Sequence, residues 1–200
     1  VESAISEVEG VRGVRAYENN TKTTNTKGME GNSVAFIVSG GDDTDVAKAI
    51  YKKLVVGIPT VFVGSGTQVT KTVSGEHENN TKDIKYSRPE LIPMNIAVTI
   101  KNDTSLPSDQ FTSIKNNIIK YASGEEINGV VHKPNGFQIG EQVAVSQIYM
   151  PVNLVLAQFG GGSYIESIVI NTKVEGEFVD IDYFQQAQFL IENISVTIND

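Results

Sequence analysis

Val34–Val55, VAFIVSGGDDTDVAKAIYKKLV, reads as a strand, a glycine-acid turn and a short helix. Val34 to Val38 is a continuous apolar run with β-branched residues, long enough for a buried strand. Gly40 and Gly41 then allow backbone angles that a side chain would forbid. Asp42 or Asp43 can cap the following helix, because a short carboxylate reaches the free N–H groups of the first turn. Asp45 adds negative charge near the positive end of the helix dipole. Val46, Ala49, Ile50, Lys53 and Leu54 share one helical face, mostly apolar. Lys52 and Lys53 suit the negative C-terminus, and Gly57 and Pro59 mark the end of the helix. The turn SGGDD reads as a capped turn; a metal or phosphate site needs more ligands than this segment supplies.

The whole chain of 200 residues is long enough for one or two domains with a real core. Apolar residues make up 40%, and the 18 glycines, many near Asn, Asp, Ser or Thr, point to frequent turns. The net charge of −8 argues against a nucleic-acid surface, which needs clustered Lys and Arg. It suits solubility, or a basic partner surface. The absence of cysteine removes disulfides, thiol nucleophiles and cysteine metal sites together. It fits a reducing compartment. No apolar run approaches the ~20 residues that span a bilayer. Val1 in place of Met suggests a fragment of a longer protein, and Val1–Val8 reads as the end of a helix that begins upstream. Asn-x-Thr/Ser occurs at Asn19, Asn79, Asn102 and Asn193; these would be glycosylation acceptors only in a secreted eukaryotic chain, and Asn-rich turns explain them.

Gly10–Glu18 looks like a first strand, with Val14 and Ala16 alternating against Arg15 and Tyr17. Asn19–Asn32 reads as a loop or a loose hairpin end. Ile58–Thr67 is a mixed segment with an apolar patch. Gln68–Ser74 and Asp83–Ser87 look like two strands of a hairpin. A second lobe opens at Leu91–Lys101, where Met94, Ile96, Val98 and Ile100 face one way and Asn95, Thr99 and Lys101 the other. Asn102–Ser108 turns, and a helix runs to about Ser123 with Phe111, Ile114, Ile118, Tyr121 and Ala122 on one stripe, stopped by Gly124. Glu125–Gly140 breaks into turns at Gly129, Pro134, Gly136 and Gly140. Glu141–Ala157 is apolar enough for a second helix, but Pro151 costs an interior helix roughly 3 kcal/mol. A break or kink near Met150 is expected, and a strand over Val152–Gln158 competes. Ser163–Thr172 and Leu190–Ile198 read as late strands. The expected fold class is α+β, with two small, mostly antiparallel sheet lobes each covered by one or two helices. The expected organisation is 1–9 as the end of an upstream helix, 10–90 as the first lobe and 91–200 as the second.

Candidate chemistry is sparse. His77 and His132 lie in polar, turn-rich surroundings, without an orienting carboxylate or a nucleophile specified nearby. They offer at most two histidine ligands to zinc, with no HExxH spacing. Asp42, Asp43 and Asp45 with Glu30 form a nominal acidic cluster that lacks the terminal bidentate Glu of a calcium loop. Asp180 and Asp182 in FVDIDYF project to one side if extended. Paired carboxylates can do acid-base work, but solvated turn acids are the simpler identity. Gly64-Ser65-Gly66 and Gly160-Gly161-Gly162 lack the trailing Lys-Ser/Thr of a phosphate loop and read as flexible turns. Tyr149, Tyr164 and Tyr183 could line a groove, or pack in a core or on a sheet. The sequence therefore assigns no catalytic, cofactor-binding or metal-ligating residue.

Several segments recur in a familiar order: Gly13–Asn19, Val38–Asp43, Val46–Ile50, Gly57–Thr60 and Tyr86–Pro89. This order resembles the baseplate J-like family of contractile phage tails and related tail-derived particles. The family pattern has a Gly-Val…Val…Glu-Asn strand, a Val-x-Gly-Gly-Asp-Asp turn, a helix bearing Val-Ala-x-Ala-Ile, then Gly-Ile-x-Thr and an aromatic-x-Arg-Pro segment. The likeness covers about residues 10–125, and the rest matches only in a looser order. Val61-Phe62-Val63 stands where a glycine is common, and Tyr86 where Phe is common. The resemblance implies a C-terminal fragment of a structural baseplate wedge protein. It implies lateral contacts in a six-fold ring around the hub, with copies of itself and other wedge proteins as partners. It implies a virion tail baseplate location, assembled in the bacterial host cytoplasm. No enzymatic activity, cofactor, metal, nucleic acid, membrane or small-molecule substrate follows from it. The alternatives are a carbohydrate- or receptor-binding module of a tail fibre or adhesin, and an acidic-site hydrolase.

Overall fold

The β-branched run at 34–38 becomes the middle of a five-stranded sheet, in a computed structural model that describes residues 1–55, 57–75, 81–102, 107, 109–158 and 162–199. In chain order the elements of this first part are α1 (Glu2–Ser6), β1 (Val11–Asn19), β2 (Ser33–Gly40), α2 (Asp43–Lys53), β3 (Thr60–Val61), β4 (Gln68–Ser74) and β5 (Thr81–Ser87). β1 pairs antiparallel with one edge of β2. On the other edge of β2, β3 and β5 both pair parallel to it, and β4 closes the sheet antiparallel to β5. β2, α2 and β3 thus form a parallel crossover, with the helix returning the chain to the same end of the sheet. Phe36, Val38, Val46, Ala47, Ile50, Ile84 and Tyr86 form the core of this layer pair together with Ile5. The face of α2 differs from expectation in one respect. Ala47 is buried, whereas Lys53 is exposed and Ala49 and Leu54 are only half-buried.

β1 does not alternate as its sequence suggests. A bulge between Val11 and Gly13 shifts the pairing at its start, and along the regular pairing that follows Gly13 and Asn19 are buried while Ala16 is exposed. The loop that follows is more organised than its composition implies. Asn19 Nδ2 donates to the carbonyls of Thr23 (2.9 Å), Met29 (2.9 Å) and Glu30 (3.0 Å), and Met29 is buried. That buried amide is spent on the loop, which removes Asn19 as a glycosylation acceptor.

The remaining elements are β6 (Glu90–Pro93), β7 (Ile96–Asn102), α3 (Asp109–Ser123), β8 (Glu126–Ile127), β9 (Val130–Val131), β10 (Val143–Ala144), α4 (Ser146–Leu156), β11 (Ser163–Ile170), β12 (Phe178–Val179), β13 (Gln185–Gln188) and β14 (Ile194–Asn199). The expected strand at 91–101 is interrupted at 94–95 into β6 and β7. Met94, Ile96, Val98 and Ile100 are all buried, as the period-two pattern predicts. β7 is the middle of a three-stranded sheet, antiparallel to β11 and parallel to β14. The expected last strand is shorter than read: a 3-10 turn at Ile191–Asn193 precedes β14. On α3, Ile114, Ile118, Tyr121 and Ala122 are buried, and Gly124 at φ +80° ends the helix. β8 and β9 form a two-residue hairpin through Asn128 (φ 52°) and Gly129 (φ +82°), the angles of a type I′ turn.

Neither a kink-forced break nor a strand occurs at Pro151: α4 runs uninterrupted through it. Ile148, Val152 and Val155, spaced one and two turns apart, are all buried. At roughly 1.5–3 kcal/mol for each buried aliphatic side chain, this stripe outweighs one lost helical hydrogen bond.

Among the described residues the fold is α+β, with four helices and several small sheets, mostly antiparallel with some parallel pairs. The chain divides into two compact units, Val1–Leu91 with Tyr183–Gln186, and Ile92–Asp182 with Ala187–Asp200. The observed division thus differs from a single boundary near 90, because the chain returns to the first unit for Tyr183–Gln186. No helix among the described residues is long and apolar enough to cross a membrane.

Candidate functional site

The residues that stand out chemically converge on the turn between β2 and α2. Gly40 (φ +78°) and Gly41 (φ +76°) swing the chain out of the sheet in two left-handed steps. Neither position has room for a side chain: a Cβ on Gly40 would lie 2.1 Å from the Gly10 carbonyl oxygen. Asp42, not Asp43, is the helix cap. Its Oδ1 accepts from the N–H groups of Thr44 (2.8 Å) and Asp45 (3.2 Å).

Asp43 does something else. Its Oδ1 accepts from Arg88 Nη2 at 2.7 Å and from the Tyr86 hydroxyl at 2.7 Å, and Lys71 Nζ lies 3.9 Å from its Oδ2. The Arg88 guanidinium also donates to the carbonyl oxygens of Val38 (3.0 Å), Gly40 and Gly41 (2.8 Å). It lies 5.2 Å from the Tyr86 ring centroid. A planar fork of five donors is the side chain suited to collect three carbonyls and a carboxylate at once. β5 delivers Tyr86, and the segment beyond it delivers Arg88. The Tyr86 hydrogen bond is the main influence holding the Asp43 carboxyl below the usual range; burial opposes it, and Arg88 and Lys71 assist. Burial, followed by the hydrogen bond to Asp43, pushes the Tyr86 hydroxyl well above its ordinary value.

This arrangement holds a turn in place. The Nη1 and Nη2 donors of Arg88 end on protein acceptors, and Asp43 is tied to three neighbours. Asp45 pairs with Lys48 at 3.3 Å. Glu30 is exposed, and only its backbone carbonyl is engaged by Asn19 and Ser33. The three turn acids thus have separate partners. Among the described residues no group of three His, Asp or Glu is placed to hold a metal ion. A depression of about 1120 Å³ in the first unit is lined by Lys48, Lys52, Lys82, Tyr51, Leu54, Ile58 and neighbours, and among the described residues no Asp or Glu lines it.

The other candidates lie apart from the turn. Asp180 and Asp182 are both exposed and flank the buried Ile181, which gives them the shared side expected of an extended segment. Asp180 Oδ1 accepts from Gln142 Nε2 at 2.6 Å. His132 is half-buried after β9, and His77 lies outside the described residues. Gly160 and Gly161 lie outside them too. Gly64-Ser65-Gly66 is a close-packed segment, not a flexible turn. A Cβ on Gly64 would meet Phe184 at 2.5 Å, and one on Gly66 would strike the Arg88 carbonyl oxygen. Ser65 Oγ donates to Glu90 Oε2 at 2.6 Å; with Gln185 it holds the Glu90 carboxyl below the usual range. Tyr149 is half-buried with its hydroxyl 3.5 Å from Glu175, and Tyr164 is 57% exposed.

Of one further cluster, sequence reasoning singled out Tyr183 alone. Tyr17, Tyr183 and Phe184 surround the ammonium of Lys27, with ring centroids 4.6, 4.1 and 5.9 Å from Nζ. Only adjacent aromatics at 183–184 hint at it, and nothing local ties them to position 27. No family model matches the chain, and no curated protein matches it.

Proposed function

We propose that this protein is a structural subunit of the baseplate wedge of a contractile phage tail or a tail-derived particle. In this reading it contacts copies of itself and other wedge proteins in a six-fold ring around the hub, in the tail baseplate, and performs no bond-making chemistry. The observation that carries the reading is the meeting of two of the resembling segments. Val38–Asp43 and Tyr86–Pro89 come from distant parts of the chain, and the Arg88 fork joins them into one latch. Their recurrence as a pair then has a structural reason: each is needed to hold the strand–turn–helix that organises the first unit.

Modest polar interfaces suit a ring that must hold before contraction and rearrange on triggering. The test is co-expression with the neighbouring tail proteins, followed by size measurement and imaging of assembled baseplates. The reading expects co-migration with those partners, and loss of assembly when exposed charges on both units are reversed. Intact assembly after such reversals would remove the interface role.

A further inference from the structure

We infer that the rings of Tyr17, Tyr183 and Phe184 form a binding site for an organic ammonium ion, which this chain fills with its own Lys27. The walls stand on contacts of their own. Tyr17 and Phe184 meet edge to face, with centroids 5.4 Å apart and planes at 81°. The Tyr17 hydroxyl donates to the Tyr183 carbonyl oxygen at 2.8 Å, which fixes the third ring's backbone beside the first two. Phe184 also packs against Gly64, where no side chain would fit.

The occupant is presented just as firmly. Asn25 Oδ1 accepts from the N–H groups of Lys27 (2.9 Å) and Met29 (3.1 Å), and Met29 is buried. The loop tip thus aims Lys27 at the rings. Among the described residues no carboxylate lies within ion-pair reach of Lys27 Nζ. The attraction is that of a cation for aromatic faces. A quaternary methylated ammonium has no N–H groups to satisfy and binds through aromatic faces alone, so it suits such a site. Tyr183 is 60% exposed and Lys27 is exposed, so an external ion has access. The ligand class is a methylated ammonium, whether a choline headgroup or a methylated lysine side chain. A tethered competitor acts at an effective concentration of roughly millimolar, which masks a weak external ligand.

The test uses the full chain and tetramethylammonium as the probe, followed by the upfield ring-current shift of its methyl protons in NMR. Lys27→Ala is expected to give a saturable shift with half-saturation about tenfold or more below that of the parent chain. Adding Tyr183→Ala, a change at an exposed position, is expected to abolish it while circular dichroism stays unchanged. Absence of a saturable shift in folded Lys27→Ala overturns the proposal, as does a shift that survives Tyr183→Ala. Phosphocholine and a trimethyllysine peptide then separate the two ligand sources by which saturates at the lower concentration.

Discussion

Arg88 shows what one side chain can hold. Its fork takes the carbonyl oxygens of Val38 and Gly40 near the end of β2 and of Gly41 just beyond it, and it neutralises Asp43 beside them. Hydrogen bonds to a charged group contribute about 1.5–3 kcal/mol each in favourable cases, and they are not additive here. Arg88→Ala is expected to lower stability by about 2–3 kcal/mol, measured as a reduced urea midpoint. Arg88→Lys is expected to recover little, because a point charge cannot bridge three carbonyls. The same latch sets an acid response. The Asp43 carboxyl is depressed in the folded chain, so its contribution is complete above the ordinary carboxylate value of about 4. It is lost as pH falls through the lower folded value. Asp43→Asn is therefore expected to be less stable at neutral pH and flatter against pH below about 4, checked by denaturation at a series of pH values. Glu90 is depressed too and will leave a residual slope in the same window. The Arg-Pro segment and the Gly-Gly-Asp-Asp turn were each visible in the sequence. Their contact was not, because hydrogen bonds between positions 45 to 50 residues apart leave no local periodicity.

At the scale of the element, local chemistry was the better guide. The strand–turn–helix at 33–53 was legible because three signals agree: a β-branched run, paired glycines and a capping acid. Asp42→Ala is expected to cost about 1 kcal/mol and Asp42→Ser almost nothing, measured by thermal unfolding. Asp43→Ala separates latch from cap, since it leaves both cap hydrogen bonds to Asp42 in place. Pro151 misled because a propensity penalty is local while the burial that overrides it is tertiary. The Asn128-Gly129 hairpin was missed for a different reason: its strands are two residues each, too short to show alternation. Gly64 and Gly66 were read as flexible from composition, yet their glycines serve close approach to Phe184 and to the Arg88 backbone. Gly66→Ala is expected to be more damaging than Gly28→Ala, where a Cβ meets nothing within 4 Å. Comparing soluble yield and melting temperature of the two variants checks this.

At the scale of the molecule, the α+β class followed from layer logic, whereas the return of Tyr183–Gln186 to the first unit did not. Nothing in FVDIDYFQQAQF signals a second crossing between units. The anchors of that return, Tyr17, Lys27 and Gly64, lie more than a hundred residues upstream. The fold has two buried cores, each with its own sheet. Under the assembly reading, substitutions confined to one unit's surface are expected to weaken partner binding only in part. Combined substitutions on both should abolish it, as read by co-sedimentation with tail partners.

α1 is only five residues long, yet it has a task that its length conceals. β1 is an outer strand, and its Ala16 N–H points away from β2, where Glu2 Oε1 accepts it at 2.6 Å. That carboxylate shields a margin onto which a foreign peptide could otherwise zip. Removing the first six residues would strip that guard together with the buried Ile5, and is expected to promote clumping through the bared margin.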